Sequence, residues 1–185
     1  MSTLGPLFFY IDVAIAISMI IIVVVLYKLE KIDKFVFSLF WIGALLGFTW
    51  EIPIFVVNQF GVYPFLQYLT PLPFSFIIII ISHSVWDGGL FLMGVGLVYL
   101  FSKSPRFENY KLSELLILIA WGQVQAIAIE MIGSFGGAWE YIPYPWNPAF
   151  VIIAGHYFTI FIQVVWLVAS IAFYFIALKL KERIQ

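Results

Sequence analysis

Five long apolar segments, joined by connections that are alternately basic and uncharged, constrain this chain more than any other feature of its sequence. The nine basic residues lie after the first segment, after the third and near the C-terminus, namely Lys28, Lys31, Lys34, Lys103, Arg106, Lys111, Lys179, Lys181 and Arg183. Lys and Arg stay on the cytoplasmic side of membrane proteins because moving them across a bilayer is costly. The alternation therefore predicts an N-terminus outside and a C-terminus in the cytoplasm.

Composition agrees with a lipid environment, since 64% of the residues are hydrophobic and only 10% are charged. A soluble domain could not bury that much apolar surface. The net charge of -1 gives no sign of nucleic-acid binding, and the absence of cysteine excludes disulfides, thiolate metal sites and thiol catalysis. We predict no metal or cofactor requirement.

The fold class predicted is an all-α integral membrane protein, a single five-helix bundle formed by residues 1–185. Each apolar segment is long enough to cross roughly 30 Å of hydrocarbon. We interpret the first as a membrane span rather than a signal peptide, because no basic residue precedes it and Asp12 lies inside it. The predicted spans are 7–28, 35–58, 74–101, 113–135 and 149–179.

Acidic residues within or beside the apolar spans are the strongest functional signal, and they are Asp12, Glu51, Asp87, Glu130 and Glu140. A carboxylate in hydrocarbon costs several kcal/mol, and the spans contain no Lys or Arg that could pair with it, apart from Lys28 and Lys179 at their cytoplasmic ends. A carboxyl kept neutral by an apolar pocket is a proton donor. We expect Asp12 to be solvated at the end of its span and Glu140 to be wet in a loop.

Helical spacing predicts that several polar side chains share faces at similar depth. His83 and Asp87 are four residues apart on one face and could form a hydrogen bond. Polar stripes are also predicted on the second, fourth and fifth spans, at Glu51 and Asn58, at Gln123 and Glu130, and at His156, Thr159, Gln163 and Trp166. Together these stripes predict one cavity in the outer half of the bundle.

Each of these residues also has a structural interpretation that the sequence leaves open. Gln123 and Gln163 could hold helices together through hydrogen bonds in the membrane. Trp50, Trp86, Trp121 and Trp166 could be packing residues, and the two histidines could be neutral partners of the acids.

With the spans aligned in order, the chain resembles the EXPERA group of five-helix membrane proteins, which includes the emopamil-binding sterol isomerase and the sigma-2 receptor. The resemblance rests on Trp50-Glu51, on Trp86-Asp87-Gly88, on Gly122-Gln123 and on the step from Gln163 to Trp166. The Trp-Glu step is also similar to that of small integral-membrane terpene cyclases. The chain departs from the isomerase pattern at Gly47, Ile79 and Gln163, where that family has histidine, glutamate and asparagine.

This resemblance implies an enzyme that protonates an alkene of an isoprenoid or sterol-like membrane lipid and causes isomerisation or cyclisation. Glu51 or Asp87 is the predicted general acid, and His83 is predicted to orient Asp87. Glu130 is predicted to act as the second acid/base or to stabilise a carbocation. Predicted substrate-binding residues are Trp50, Trp86, Trp121, Gln123, His156, Thr159, Gln163, Trp166 and Asn58, with the rings of Trp50, Trp121 and Trp166 facing the cation.

Other functions remain open from the sequence. A non-catalytic lipid-binding or lipid-trafficking protein could use the same pocket, and His83 with His156 could ligate a haem. A proton-coupled carrier is less consistent with five spans that lack an inverted repeat. The oligomeric state stays open between a monomer and a homodimer. The short loops favour a prokaryotic plasma membrane, or the endoplasmic reticulum in a eukaryote.

Overall fold

The computed structural model describes residues 4–184 and contains five helices that are each long and apolar enough to cross a membrane. The prediction of five apolar helices is therefore confirmed. The helices are α1 (Leu4–Lys28), α2 (Lys34–Phe60), α3 (Phe76–Phe101), α4 (Leu112–Phe135) and α5 (Ile160–Ile184).

The predicted start of the fifth span was wrong, because residues 149–159 form a hairpin and not a helix. Its strands, named β3 (Ala149–Ile153) and β4 (His156–Thr159), pair in antiparallel fashion. The turn between them contains Gly155 at a φ of +88°, a conformation that glycine adopts at little cost. A short apolar run rich in β-branched and aromatic residues fits a strand as well as a buried helix. His156 and Thr159 therefore do not belong to a helical stripe.

Two other strands join the connection that follows α2 to the connection that follows α4. These strands, β1 (Leu66–Tyr68) and β2 (Trp139–Tyr141), pair in antiparallel fashion, with Leu66 opposite Tyr141 and Tyr68 opposite Trp139. We call this end of the bundle the strand end. The opposite end, which carries the two basic connections and the end of α5, is called the basic end.

Helix α3 is the central element, because it packs against α1, α2 and α4. Its closest neighbour is α2, and small residues line their interface. A Cβ atom on Gly43 would lie 3.0 Å from the Cα of Gly88, and one on Gly88 would lie 2.6 Å from the carbonyl oxygen of Phe40. Side chains this small let helix backbones approach closely in lipid. This close approach also brings the Asp87 carboxyl group of α3 against Gly47 of α2.

A buried carboxylate fixes the connection between α3 and α4 at the basic end. Glu114 is fully buried, and its two oxygens accept hydrogen bonds from the Ser102 hydroxyl at 3.3 Å and the Phe107 amide at 3.1 Å. The ammonium group of Lys111 lies 3.6 Å from the same carboxylate. Glu114 therefore satisfies several polar groups that would otherwise be buried without partners, which is a structural role.

Candidate active site

A cavity of about 360 Å³ lies between the helices in the half of the bundle nearer the strand end. All five helices contribute to its wall, and β1 and β2 cover it. Its polar lining residues are Asp12, Glu51, His83, Asp87, Gln125 and Glu130. Its aromatic lining residues are Phe8, Trp50, Phe55, Tyr68, Trp86, Trp139, Tyr141 and Trp166. Among the described residues that line it, none is Lys or Arg, so four carboxyl groups share a largely apolar space with one imidazole.

The imidazole of His83 lies between two carboxylates from different helices. Its Nδ1 lies 3.3 Å from Oε2 of Glu51 on α2, and its Nε2 lies 3.5 Å from Oδ2 of Asp12 on α1. We call these three residues the Asp12–His83–Glu51 cluster. A histidine with a carboxylate at each ring nitrogen can take up and release a proton on either side, because each nitrogen is both a donor and an acceptor site.

Asp12 is part of the site, and the prediction that it is solvated was wrong. It is 4% exposed, and its Oδ2 accepts a hydrogen bond from the Ser82 hydroxyl at 2.8 Å. The indole N–H of Trp86 also donates to the backbone oxygen of Asp12 at 3.0 Å. Two α3 side chains therefore hold this turn of α1 against the cavity. Such partners stabilise an ionised carboxyl group within a membrane span.

The predicted pairing of His83 with Asp87 is replaced by the pairing with Asp12 and Glu51. Asp87 is buried, and its Oδ2 has no hydrogen-bond partner. Neither oxygen of the buried Glu130 has one. An ionised carboxylate without a partner is costly in apolar surroundings, so the neutral acid is the favoured form of both groups. Two carboxylic acids able to donate a proton thus line the same cavity as a histidine–carboxylate cluster.

The position of Asp87 depends on Gly47, which leaves room for its carboxyl group. A Cβ on Gly47 would clash with Oδ2 of Asp87 and would lie 3.0 Å from the backbone Cα of Ser84. Glu51 follows Gly47 by one helical turn, so Gly47 brings the Asp87 carboxyl next to the turn that carries Glu51.

We expect Gly47→Ala to destabilise the protein by about 1 to 3 kcal/mol, because the added methyl group has to separate α2 from α3. Gly96→Ala is the matched control, since a Cβ at Gly96 meets nothing within 4 Å. That control should be neutral or stabilising by up to about 1 kcal/mol, the difference in helix propensity. Thermal unfolding in detergent measures both, and equal melting temperatures for the two variants would contradict the close packing at Gly47.

Aromatic rings line the same cavity as the acids. The rings of Trp50 and Trp166 pack together with centroids 5.7 Å apart. At the strand end, the indole of Trp139 lies 5.7 Å from the His83 ring and 4.9 Å from the ring of Phe8. Faces of indole rings attract cations, which suits a cavity in which positive charge develops on a ligand.

Two tyrosines from the strands complete the cover of the cavity. Burial raises the pKa of the Tyr68 phenol, and the nearby Glu51 carboxyl raises it further. Burial also raises the pKa of Tyr141, with the Glu130 and Glu51 carboxyls adding to the effect. Both phenols are therefore neutral hydrogen-bond donors at ordinary pH and do not act as bases.

Of the residues predicted as catalytic, Glu51, His83, Asp87 and Glu130 all line the cavity, as do the predicted binding residues Trp50, Trp86 and Trp166. The other predicted binding residues lie outside it, namely Asn58, Trp121, Gln123, His156, Thr159 and Gln163. Several of these hold the structure together. The indole of Trp121 donates to the carbonyl of Leu90 at 2.7 Å, and the Gln123 amide donates to the carbonyl of Gln163 at 3.0 Å.

Three more of the predicted binding residues that lie outside the cavity, Asn58, His156 and Thr159, are at the strand end. Asn58 accepts hydrogen bonds from the backbone amides of Phe65 and Leu66 at 2.7 and 3.1 Å. His156 lies 3.6 Å from the half-buried Glu140, which was predicted to be wet. Each histidine of the chain therefore has its own carboxylate partner. Within residues 4–184, no three His, Asp or Glu side chains are arranged to hold a metal ion.

Sequence reasoning missed Phe8 and Phe55 on the helices and three aromatic residues of the strands, Tyr68, Trp139 and Tyr141. Aromatic rings in the connections of a membrane protein are common in the headgroup region. The pairing of β1 with β2 instead places all three on the cavity. The sequence signal for this strand pairing is weak, because each strand has only three residues.

Comparison with protein-family models, with curated proteins and with solved structures gives no match to this chain. The resemblance to the EXPERA group therefore stays a prediction.

Proposed function

We propose that the protein is an intramembrane acid/base enzyme that acts on an isoprenoid or sterol-like lipid by proton-initiated isomerisation or cyclisation. The observation that supports this best is the composition of the cavity, which is lined by two buried acids with unpartnered oxygens, a histidine–carboxylate cluster and aromatic rings. Protonation of an alkene needs an acid, a water-poor space and stabilisation of a carbocation, and these residues provide all three.

We assign the proton donor to Asp87. Its carboxylic acid gives a proton to one alkene carbon, which leaves a carboxylate on Asp87 and a carbocation on the substrate. The Asp87 carboxylate stays buried next to the turn of α2 that carries Glu51. The rings of Trp50 and Trp166 stabilise the cation, because indole faces attract positive charge.

The Asp12–His83–Glu51 cluster is the proposed proton acceptor. Loss of a proton from a carbon beside the cationic centre forms the product double bond, so the reaction has no net proton change. Transfer of the proton from the cluster back to Asp87 restores the starting state. Glu130, on α4, is proposed to be the second acid/base, which donates its proton to substrates bound in another orientation.

The location of the reaction is part of the same proposal. The positions of the basic residues support an orientation in which the strand end and the cavity face the outside of a plasma membrane. A lipid of the membrane is the proposed substrate, with no nucleic-acid partner and no added cofactor.

Deuterium incorporation from heavy water tests this function even while the substrate is unidentified. The purified protein is incubated in D₂O with a panel of neutral polyenes and unsaturated sterols, and the recovered lipids are analysed by mass spectrometry. We expect at least one lipid to acquire deuterium or a new double-bond position, because the protein exchanges its acidic protons with solvent. The triple variant Glu51→Gln, Asp87→Asn, Glu130→Gln should give none.

Two results would contradict the enzyme. One is equal deuterium incorporation by the wild-type protein and the triple variant. The other is an ordered lipid that co-purifies with the wild-type protein and remains unchanged after incubation in D₂O, which would favour a non-catalytic lipid-binding protein.

A further inference from the structure

The exposed residues of the cavity wall show where the cavity reaches the surface of the bundle. Of the described residues that line it, two have largely exposed side chains, Ile11 on α1 at 49% and Ile132 on α4 at 59%. The others are buried or half-buried. A residue that both lines a cavity and is exposed lies at its mouth, so the mouth lies between α1 and α4.

The packing of the helices explains why a gap exists at this place. Helix α4 meets α3 at Gly94, where a Cβ would lie 2.9 Å from Cδ1 of Trp121. Gly94 lies about two turns closer to the basic end than Asp87. Helix α1 packs against α3 and α2, and α4 packs against α5 and α3. Towards the strand end, α1 and α4 therefore border the gap from opposite sides.

The strand end itself is closed by Trp139. Its indole contacts Phe8 of α1 edge-on, and it occupies a recess over Gly133 of α4, where a Cβ would lie 2.6 Å from Cζ2 of the indole. A direct path from the strand end into the cavity would have to displace this ring. The mouth of the cavity therefore opens laterally, between the helices, towards the region that membrane lipid would occupy.

We propose that the gap bounded by Ile11 and Ile132 is a lateral portal through which an uncharged lipid passes from the membrane to the buried carboxyl groups. The two isoleucines are apolar, and the described cavity wall offers no Lys or Arg to a phosphate group. A phosphate group would be buried there without a cation to pair with, and the carboxylates of the Asp12–His83–Glu51 cluster would repel it. The inference rests on the proposed function only in taking a lipid as the ligand.

Dicyclohexylcarbodiimide, an uncharged lipid-soluble reagent, is a probe for this route. A carboxylic acid adds across one of its C=N bonds, with the carboxyl proton going to nitrogen, and the adduct rearranges to a stable N-acylurea. Intact mass and peptide mapping then report which carboxyl groups the reagent reaches. The assay needs no turnover, so it can fail or succeed independently of the proposed enzyme activity.

The chain contains no cysteine, so single cysteines can be introduced as unique attachment points. Ile11→Cys and Ile132→Cys place a thiol at the portal. Ile21→Cys and Val124→Cys are matched controls on the same helices, exposed by 56% and 63% but outside the cavity wall. Each thiol is capped either with bulky N-pyrenylmaleimide or with the small methyl methanethiosulfonate. Elution of the capped protein as a single species verifies that it is folded.

We expect the bulky cap at Ile11→Cys or Ile132→Cys to slow modification of Asp87 and Glu130 several-fold. The small cap at these positions, and either cap at the control positions, should leave the rate unchanged. Equal rates for bulky caps at all four positions would overturn the portal. So would an unmodified wild-type protein, or equally fast modification by a water-soluble carbodiimide, which would indicate access from water.

Discussion

Replacing Asp87 with asparagine is expected to lower turnover by about two to four orders of magnitude, the usual contribution of a general acid. Asparagine has nearly the same size and fits beside Gly47, but its amide does not transfer a proton to an alkene. Because Oδ2 of Asp87 has no partner, the fold should tolerate the change. Deuterium incorporation into lipid measures the activity, and the melting temperature in detergent measures the fold.

Two companion variants make this result specific. Ser84→Ala alters a buried polar side chain of the same helix outside the cavity wall, and it should keep its activity. Glu130→Gln changes the other buried acid that has unpartnered oxygens. Full activity of Asp87→Asn would refute the assignment of the donor, and a larger loss in Glu130→Gln would transfer that role to Glu130.

The largest effect on stability is expected at Glu114. We expect Glu114→Leu to lower the free energy of unfolding by about 2 to 4 kcal/mol, since the Phe107 amide, the Ser102 hydroxyl and the Lys111 ammonium lose their shared acceptor. Turnover per folded molecule should not change, because Glu114 lies at the basic end, away from the cavity.

Chemical unfolding of the protein in detergent measures this difference. Glu108→Leu, an exposed change in the same connection, serves as the control and should be close to neutral. If the two leucine variants unfold at the same denaturant concentration, Glu114 does not hold the connection as described. Asp87 and Glu114 thus form a contrasting pair of buried carboxyls, one expected to affect turnover and the other stability.

Much of the helical architecture could be predicted from the sequence, because crossing a bilayer requires long apolar segments and the cost of charge places Lys and Arg at their ends. The hairpin at residues 149–159 could not, since a short apolar run has no periodicity that distinguishes a strand from a buried helix. The sidedness of the bundle stays a prediction.

The candidate site was partly predictable for a similar reason. The cost of a buried carboxyl identified Glu51, Asp87 and Glu130 and placed them at a common depth. Depth does not determine which way a helix is rotated, and so the sequence did not pair His83 with Asp12. That pairing depends on how α1 packs against α3, where Ser82 and Trp86 bind the same turn. Such contacts between distant residues leave no trace in helical spacing.

The pairing of β1 with β2 has a consequence for biosynthesis. A chain leaves the ribosome from its N-terminus, so α1, α2 and α3 can insert and assemble while Trp139 has not yet been made. The two strands can join only after α4 has crossed the bilayer, since Tyr68 precedes α3 and its partner Trp139 follows α4. The nascent protein therefore passes through a stage in which β1 and β2 do not yet cover its carboxyl groups, and this cover forms only after α4 and β2 have been made.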